Sequence, residues 1–103
     1  VQIGISSYYG KEFHKKRTAS GQIFDMHKIS AAHKTLPLGT KIRVTNLKNG
    51  RSLTMTITDR GPFVKGRILD VSYKAAKKLS FVNQGTTKVR IDVLRLGNNK
   101  YYK

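Results

Sequence analysis

Residues 49–63 read NGRSLTMTITDRGPF, and the pattern within them decides what kind of fold this chain adopts. Leu53, Met55 and Ile57 alternate with Thr54, Thr56 and Thr58, the period of a strand with one buried face. Asn49-Gly50 ahead of it is a hairpin signal, because both residues tolerate positive φ. The strand then runs into Asp59-Arg60-Gly61-Pro62-Phe63. Continued alternation puts Asp59 on the inward Leu53–Ile57 face and Arg60 on the other. Two readings of this ending compete. Asp, Gly and Pro form an ordinary turn, or a carboxyl group stands on a rigid strand end with a constrained backbone behind it.

Working outward, TKIRVTNL (40–47) puts Ile42 and Val44 on one face and supplies the other arm of the hairpin. TTKVRIDVLRL (86–96) alternates Val89, Ile91 and Val93, with Asp92 an outer surface charge among basic neighbours. VQIGISSYYG (1–10) alternates Val1, Ile3 and Ile5 and reads as another half-buried strand. SYKAAKKLSF (72–81) is helical, with Ser72 as N-cap, Ala75, Ala76 and Leu79 on one side and lysines late. SAAHKTLP (30–37) is a shorter helix candidate, starting at Ser30 and ended by Pro37. Residues 11–22 read as a polar, basic loop, and the tail from about 97 as frayed. The expectation is a mainly β chain forming one domain over 1–103, with one or two short helices. Short, evenly spread strands favour a small closed barrel, because closure removes exposed edges.

The bulk composition narrows the function. The 103 residues carry 21 Lys and Arg against 5 Asp and Glu, a net charge of +16. Such a chain attracts polyanions: nucleic acid, anionic lipid or an acidic cell-wall polymer. The basic residues are spread along the chain rather than gathered in a block, so specific nucleic-acid recognition is not expected. Hydrophobic content of 38% is low, but its strict patterning argues against disorder. No apolar run is long enough for a transmembrane segment. The start at Val1 points to a processed or excised domain. The absence of cysteine excludes disulfides and thiolate metal sites. His14, His27 and His33 are zinc-type ligands, but their spacing matches no common zinc pattern. No cofactor or metal is expected, and the chain reads as a monomer.

Four motifs, in this order, make the chain recognisable: TASG-x-x-FD (18–25), AAH-x-TLP-x-GT (31–40), VTN-x-x-NG (44–50) and DRGPF-x-x-GR-x-x-D (59–70). Together they resemble the barrel domain of the rare lipoprotein A (RlpA) family from about Ser7 to Leu94. The resemblance implies a six-stranded double-psi β-barrel, related to the barrels of expansins. It implies a lytic transglycosylase of the bacterial cell envelope, periplasmic and, in the full-length protein, an outer-membrane lipoprotein with a link to the septal ring. Its partner would be peptidoglycan glycan strands, preferably free of stem peptides. The family's active-site positions fall on Asp25, His33 and Asp59. A fourth, usually Glu, is here Gln22, which keeps hydrogen-bonding ability but loses the charge. The competing reading is therefore a non-catalytic, expansin-like wall-binding module.

The chemistry asks for a proton delivered to the glycosidic oxygen and support for an oxocarbenium-like centre. Intramolecular attack by the sugar's C6 hydroxyl substitutes for an activated water. One carboxyl group can then serve both as acid and as base. Asp59 is the candidate for that group, Asp25 for charge stabilisation and His33 for orientation. Tyr8, Tyr9 and Phe63 are candidates for sugar stacking, and Gln22 and Arg60 complete the expected substrate-binding set. Asp70 is expected to tie its loop back through Arg67.

Overall fold

The structure is a computed structural model and describes residues 1–9, 16, 18 and 27–98. Its strands are β1 (Gln2–Tyr9), β2 (Ala31–His33), β3 (Lys41–Asn46), β4 (Ser52–Asp59), β5 (Arg67–Ser72) and β6 (Thr86–Arg95). One helix, α1 (Tyr73–Lys78), lies between the last two. The strands close into a barrel in the order β1-β5-β2-β4-β3-β6. The β3–β4 hairpin forms as its sequence predicts, from Lys41↔Thr56 to Thr45↔Ser52, with Gly50 at φ 77° in the turn. Two parallel pairs, β1–β5 and β2–β4, join distant parts of the chain.

The core is built by the alternating residues of β3, β4 and β6 (Ile42, Val44, Met55, Ile57, Val89 and Ile91), together with Leu69 and Val71 of β5. Leu53 lies at the margin and is half-buried. Helix α1 begins as expected: Ser72 Oγ accepts the Ala75 N–H at 3.3 Å. Ala75, Ala76 and Leu79 are fully buried, so the helix's apolar face plugs the barrel and its lysines stay outside.

The VTN-x-x-NG motif also has a packing role. Asn46 is buried, and its Nδ2 donates to the Leu79 carbonyl at 2.8 Å. Its Oδ1 accepts from Thr87 Oγ1 at 2.8 Å and from the Lys48 N–H at 3.0 Å. Asn49 Nδ2 donates to the same Leu79 carbonyl at 3.0 Å. The hairpin is thereby tied to the end of α1 and to β6.

Two expectations are corrected. Residues 30–37 do not form a helix: Ala31–His33 is a buried strand, antiparallel to β5 and parallel to β4. A run this short shows no period, and satisfying its backbone groups inside the barrel outweighs alanine's helix preference. The second correction concerns β1, which is a strand but with the opposite face inward. Val1, Ile3 and Ile5 are 81%, 54% and 37% exposed, while Ser6 is fully buried. A bulge in β5 between the partners of Ile5 and Ser6 explains this, because the extra residue, Ile68, packs against the core over Gly4. A neighbouring strand thus fills the space that β1's own side chains would have taken.

Candidate functional site

The end of β4 is aimed by a bulge. In the β2–β4 ladder Ala31 pairs with Ile57, but Ala32 pairs with Asp59. Two residues of β4 therefore face one of β2, and Thr58 is the extra one. A bulge of this kind re-aims the side chain that follows it. Asp59 shares the face of Ala32, not that of Ile57, which corrects the inward orientation expected from simple alternation. The carboxyl group is half-buried, and its Oδ1 accepts the Arg60 N–H at 2.8 Å.

The same face carries Ser7 and Tyr9 of β1 and Asp70 of β5, through the pairs Ser7↔Asp70 and Ala32↔Asp70. Ser7 Oγ donates to Asp70 Oδ1 at 2.5 Å, and Arg67 Nη2 donates to Asp70 Oδ2 at 3.1 Å. The expected Arg67–Asp70 tie is present. Tyr9 packs with Ala32 in a small cluster separate from the barrel core. Burial pushes the Tyr9 hydroxyl pKa well up, and the nearby charge of Asp59 adds to this. A Ser30 hydrogen bond opposes the rise, and Asp70 adds a last upward contribution. Sequence reading did not single out Ser7. Its place two residues before Tyr9 was a signal for the shared face, but only the β1–β5 pairing brings it to Asp70.

Beyond Asp59 the chain passes through a cis Gly61-Pro62 bond, with Gly61 at φ 131°, a conformation open only to glycine. Phe63 follows and is 86% exposed. Arg60 turns back: its Nη1 donates to the carbonyls of His33 at 3.1 Å and Leu36 at 2.5 Å. Its guanidinium thus clamps the strand end carrying Asp59 onto the turn after β2.

His33 shapes that turn. The ring Nδ1 accepts the N–H groups of Thr35 at 3.1 Å and Leu36 at 3.0 Å, and Nε2 bonds Gln2 Oε1 at 2.9 Å. With Nδ1 an acceptor, Nε2 carries the hydrogen and donates to Gln2. The pairing His33↔Leu69 places the ring on the core face, across the sheet from Asp59. Its link to Asp59 runs through the backbone turn and Arg60. Tyr8 also points inward, packed edge-on against Tyr73 and Phe81 at 6.0 Å each, with its hydroxyl donating to the Val82 carbonyl at 3.2 Å. Gln22 and Asp25 lie outside the described residues, as does His14; His27 is exposed.

The His33 geometry carries a pH dependence. Burial first, then the charges of Arg60 and Lys34, lower the imidazole pKa from its ordinary 6.5. As pH falls through 6.5 the unfolded chain takes up the proton first, so folding stability declines, and the loss is complete only below the folded-state value. The melting temperature should drop on acidification below about pH 6.5. The drop should be smaller in His33→Gln, which has no imidazole to protonate. Equal acid sensitivity in the two proteins would show that other groups control it.

These features define a closed double-psi β-barrel with an acidic cluster on its outer face and an exposed aromatic loop beside it. A model of the family described as lytic transglycolase matches residues 1–91, and the chain belongs to that family. It is 50% identical over 99 residues to a Neisseria meningitidis protein named endolytic peptidoglycan transglycosylase RlpA. That match covers 96% of this chain and 41% of the relative, so the chain spans well under half of the relative's length. Among solved structures, an expansin of Clavibacter michiganensis aligns with TM-score 0.73 at 17% identity, covering 90% of this chain and 50% of that one. A Streptomyces papain inhibitor aligns with TM-score 0.67 at 22% identity, covering 87% and 94%. At such identities the likeness is one of fold, and a fold shared with an inhibitor does not by itself imply catalysis.

Proposed function

We propose that this chain cleaves the β-1,4 bond between N-acetylmuramic acid and N-acetylglucosamine in peptidoglycan glycan strands, leaving 1,6-anhydro ends and preferring strands without stem peptides. The observation that carries the reading is Asp59, turned outward by the Thr58 bulge and clamped through Arg60, beside the exposed Phe63. Asp59 protonates the leaving glycosidic oxygen as the bond to C1 breaks. The C6 hydroxyl attacks C1 and returns its proton to Asp59, so the carboxyl group is regenerated. Asp25 supports the positive charge at C1, and His33 holds the turn that anchors Arg60. The basic surface attracts the carboxylate-bearing polymer. The setting that fits is the bacterial cell envelope, with the domain acting as a monomer. No helix among the described residues is long and apolar enough to cross a membrane.

Incubation with peptide-free glycan strands tests this directly. Product ends one water lighter than hydrolysed ends support the reading. Retention on the strands without products overturns it in favour of a wall-binding module, with Gln22 marking the lost charge.

Phe63→Ala should leave the fold unchanged, since its ring faces solvent. Loss of a stacking platform should raise KM roughly 3- to 10-fold, equivalent to about 0.5–1.5 kcal/mol, with kcat little altered. Steady-state kinetics on glycan strands would show it, and an unchanged KM would remove Phe63 from the binding surface.

A further inference from the structure

Of the nine large apolar side chains exposed among the described residues, six gather where β1 starts and β6 ends: Val1, Ile3, Ile5, Val93, Leu94 and Leu96. Single exposed aliphatics are ordinary, whereas a contiguous group marks a contact surface. Strand pairing makes this group contiguous. Gln2 opposes Ile91 in the antiparallel β1–β6 ladder, so residues 93–96 project past the start of β1, beside Val1. The projecting segment is held in place, because the Gly97 N–H after it donates to Thr40 Oγ1 at 3.0 Å.

Cations frame the group. Ile5 pairs with Lys88 and Ile3 with Arg90. On the other side of β6, Arg43 pairs with Asp92 and Lys41 with Arg95. All five of these cations are exposed. Asp92 is the one acid on this surface among the described residues, and Arg90 Nε binds it at 3.2 Å. The face therefore keeps a surplus of positive charge around an aliphatic centre.

That mixture selects the occupant. A second copy would bring the same positive face, and each chain carries +16, so repulsion opposes self-association. A glycan strand or a nucleic acid is gripped by aromatic rings, and no residue of this face named above is aromatic. Aliphatic side chains set among lysines and arginines suit the boundary of an anionic bilayer. There the apolar groups enter the edge of the acyl region while the cations meet headgroup phosphates.

We propose that the corner formed by the start of β1 and the end of β6 docks this domain on the surface of an anionic phospholipid bilayer. The docking does not depend on the glycan-cleavage reading. It is compatible with that reading, because Tyr9 lies at the other end of β1, about 20 Å from Ile3 at the rise of a strand. A docked domain thus leaves its acidic cluster outside the contact.

Vesicle flotation with the whole chain tests this, using phosphatidylcholine alone and phosphatidylcholine with about a third phosphatidylglycerol, at about 0.1 M salt. Partition onto the anionic vesicles should exceed that onto the neutral ones by about tenfold or more. Arg43→Gln combined with Lys88→Gln should weaken it about 10- to 30-fold, at about fivefold per cation. Lys74→Gln combined with Lys78→Gln removes the same charge from exposed positions on α1 and should change it by no more than about twofold, since those cations stand off the contact. Ile3→Ser and Leu96→Ser should each weaken it about fivefold, the scale for a partly inserted aliphatic side chain. Leu96 lies beyond the last residue of β6, so Leu96→Ser decides the matter if Ile3→Ser lowers the melting temperature.

Equal losses in the two charge pairs, with no loss in Leu96→Ser, would mean diffuse attraction by net charge and overturn the inference. Equal partition onto neutral vesicles, or none onto either kind, would overturn it as well. The same variants are also measured for retention on glycan strands and for sedimentation. Loss of glycan retention or of a dimer, with vesicle partition unchanged, would give the face to the polymer or to a second copy and remove the lipid assignment.

Discussion

Asp59→Asn is expected to lower the rate of anhydro-end formation by about 10²–10⁴-fold, the contribution of a general acid. The substitution is nearly isosteric. The side chain sits half-buried at a strand end, and the amide oxygen can still accept the Arg60 N–H. The Arg60 guanidinium bonds to His33 and Leu36 do not involve the carboxyl group. The barrel should therefore persist, with a far-ultraviolet spectrum and melting temperature close to wild type. What the amide cannot do is carry a proton to the glycosidic oxygen and take one from the C6 hydroxyl. A folded Asp59→Asn protein that cleaves at the native rate would reduce Asp59 to a turn residue.

The largest effect on stability is expected at Asn46. Asn46→Ala removes a fully enclosed amide and leaves the Leu79 carbonyl with Asn49, while Thr87 Oγ1 and the Lys48 N–H lose the Asn46 Oδ1 acceptor. Each buried group left without a partner costs about 1–3 kcal/mol. The sum expected here is about 2–4 kcal/mol, since Asn49 compensates at Leu79 and Lys48 reaches solvent. For a domain of this size that is a fall of roughly 10–25 °C in melting temperature. Asn46→Asp separates shape from donors: it keeps the acceptor for Thr87 and Lys48 but presents an anion to the Leu79 carbonyl. It should also be strongly destabilised, and a near-native melting temperature in both variants would show that the hairpin needs no such tie.

Much of the fold was legible in local pattern. The alternations at Ile42–Val44, Met55–Ile57 and Val89–Ile91 all mark core faces. The Asn49-Gly50 turn and the Ser72 cap behave as their chemistry predicts, and the Arg67–Asp70 tie was readable three residues apart. The ordered motifs pointed to the family that the comparison then showed. The candidate site was legible only in part: Asp59 stands at the end of β4 but on the face opposite to the one expected, Phe63 is exposed, and Gln22 and Asp25 fall outside the described residues.

The sequence by itself determined that β1, β3, β4 and β6 become strands, because alternation records the gradient from core to solvent along a single strand; β2 and β5 were not marked in this way. Only the tertiary structure decided which face several key residues occupy. Asp59 turns outward because β4 carries one residue more than β2 between two paired positions. Ile3 and Ile5 face solvent because Ile68, from a bulge on another strand, fills the space over Gly4. Ser7 meets Asp70 through a parallel pairing between β1 and β5, and His33 turns its ring to Gln2 on the core face. In each case the deciding quantity is hydrogen-bond register between strands remote in the chain. A shift of one residue there reverses the face without changing the local period.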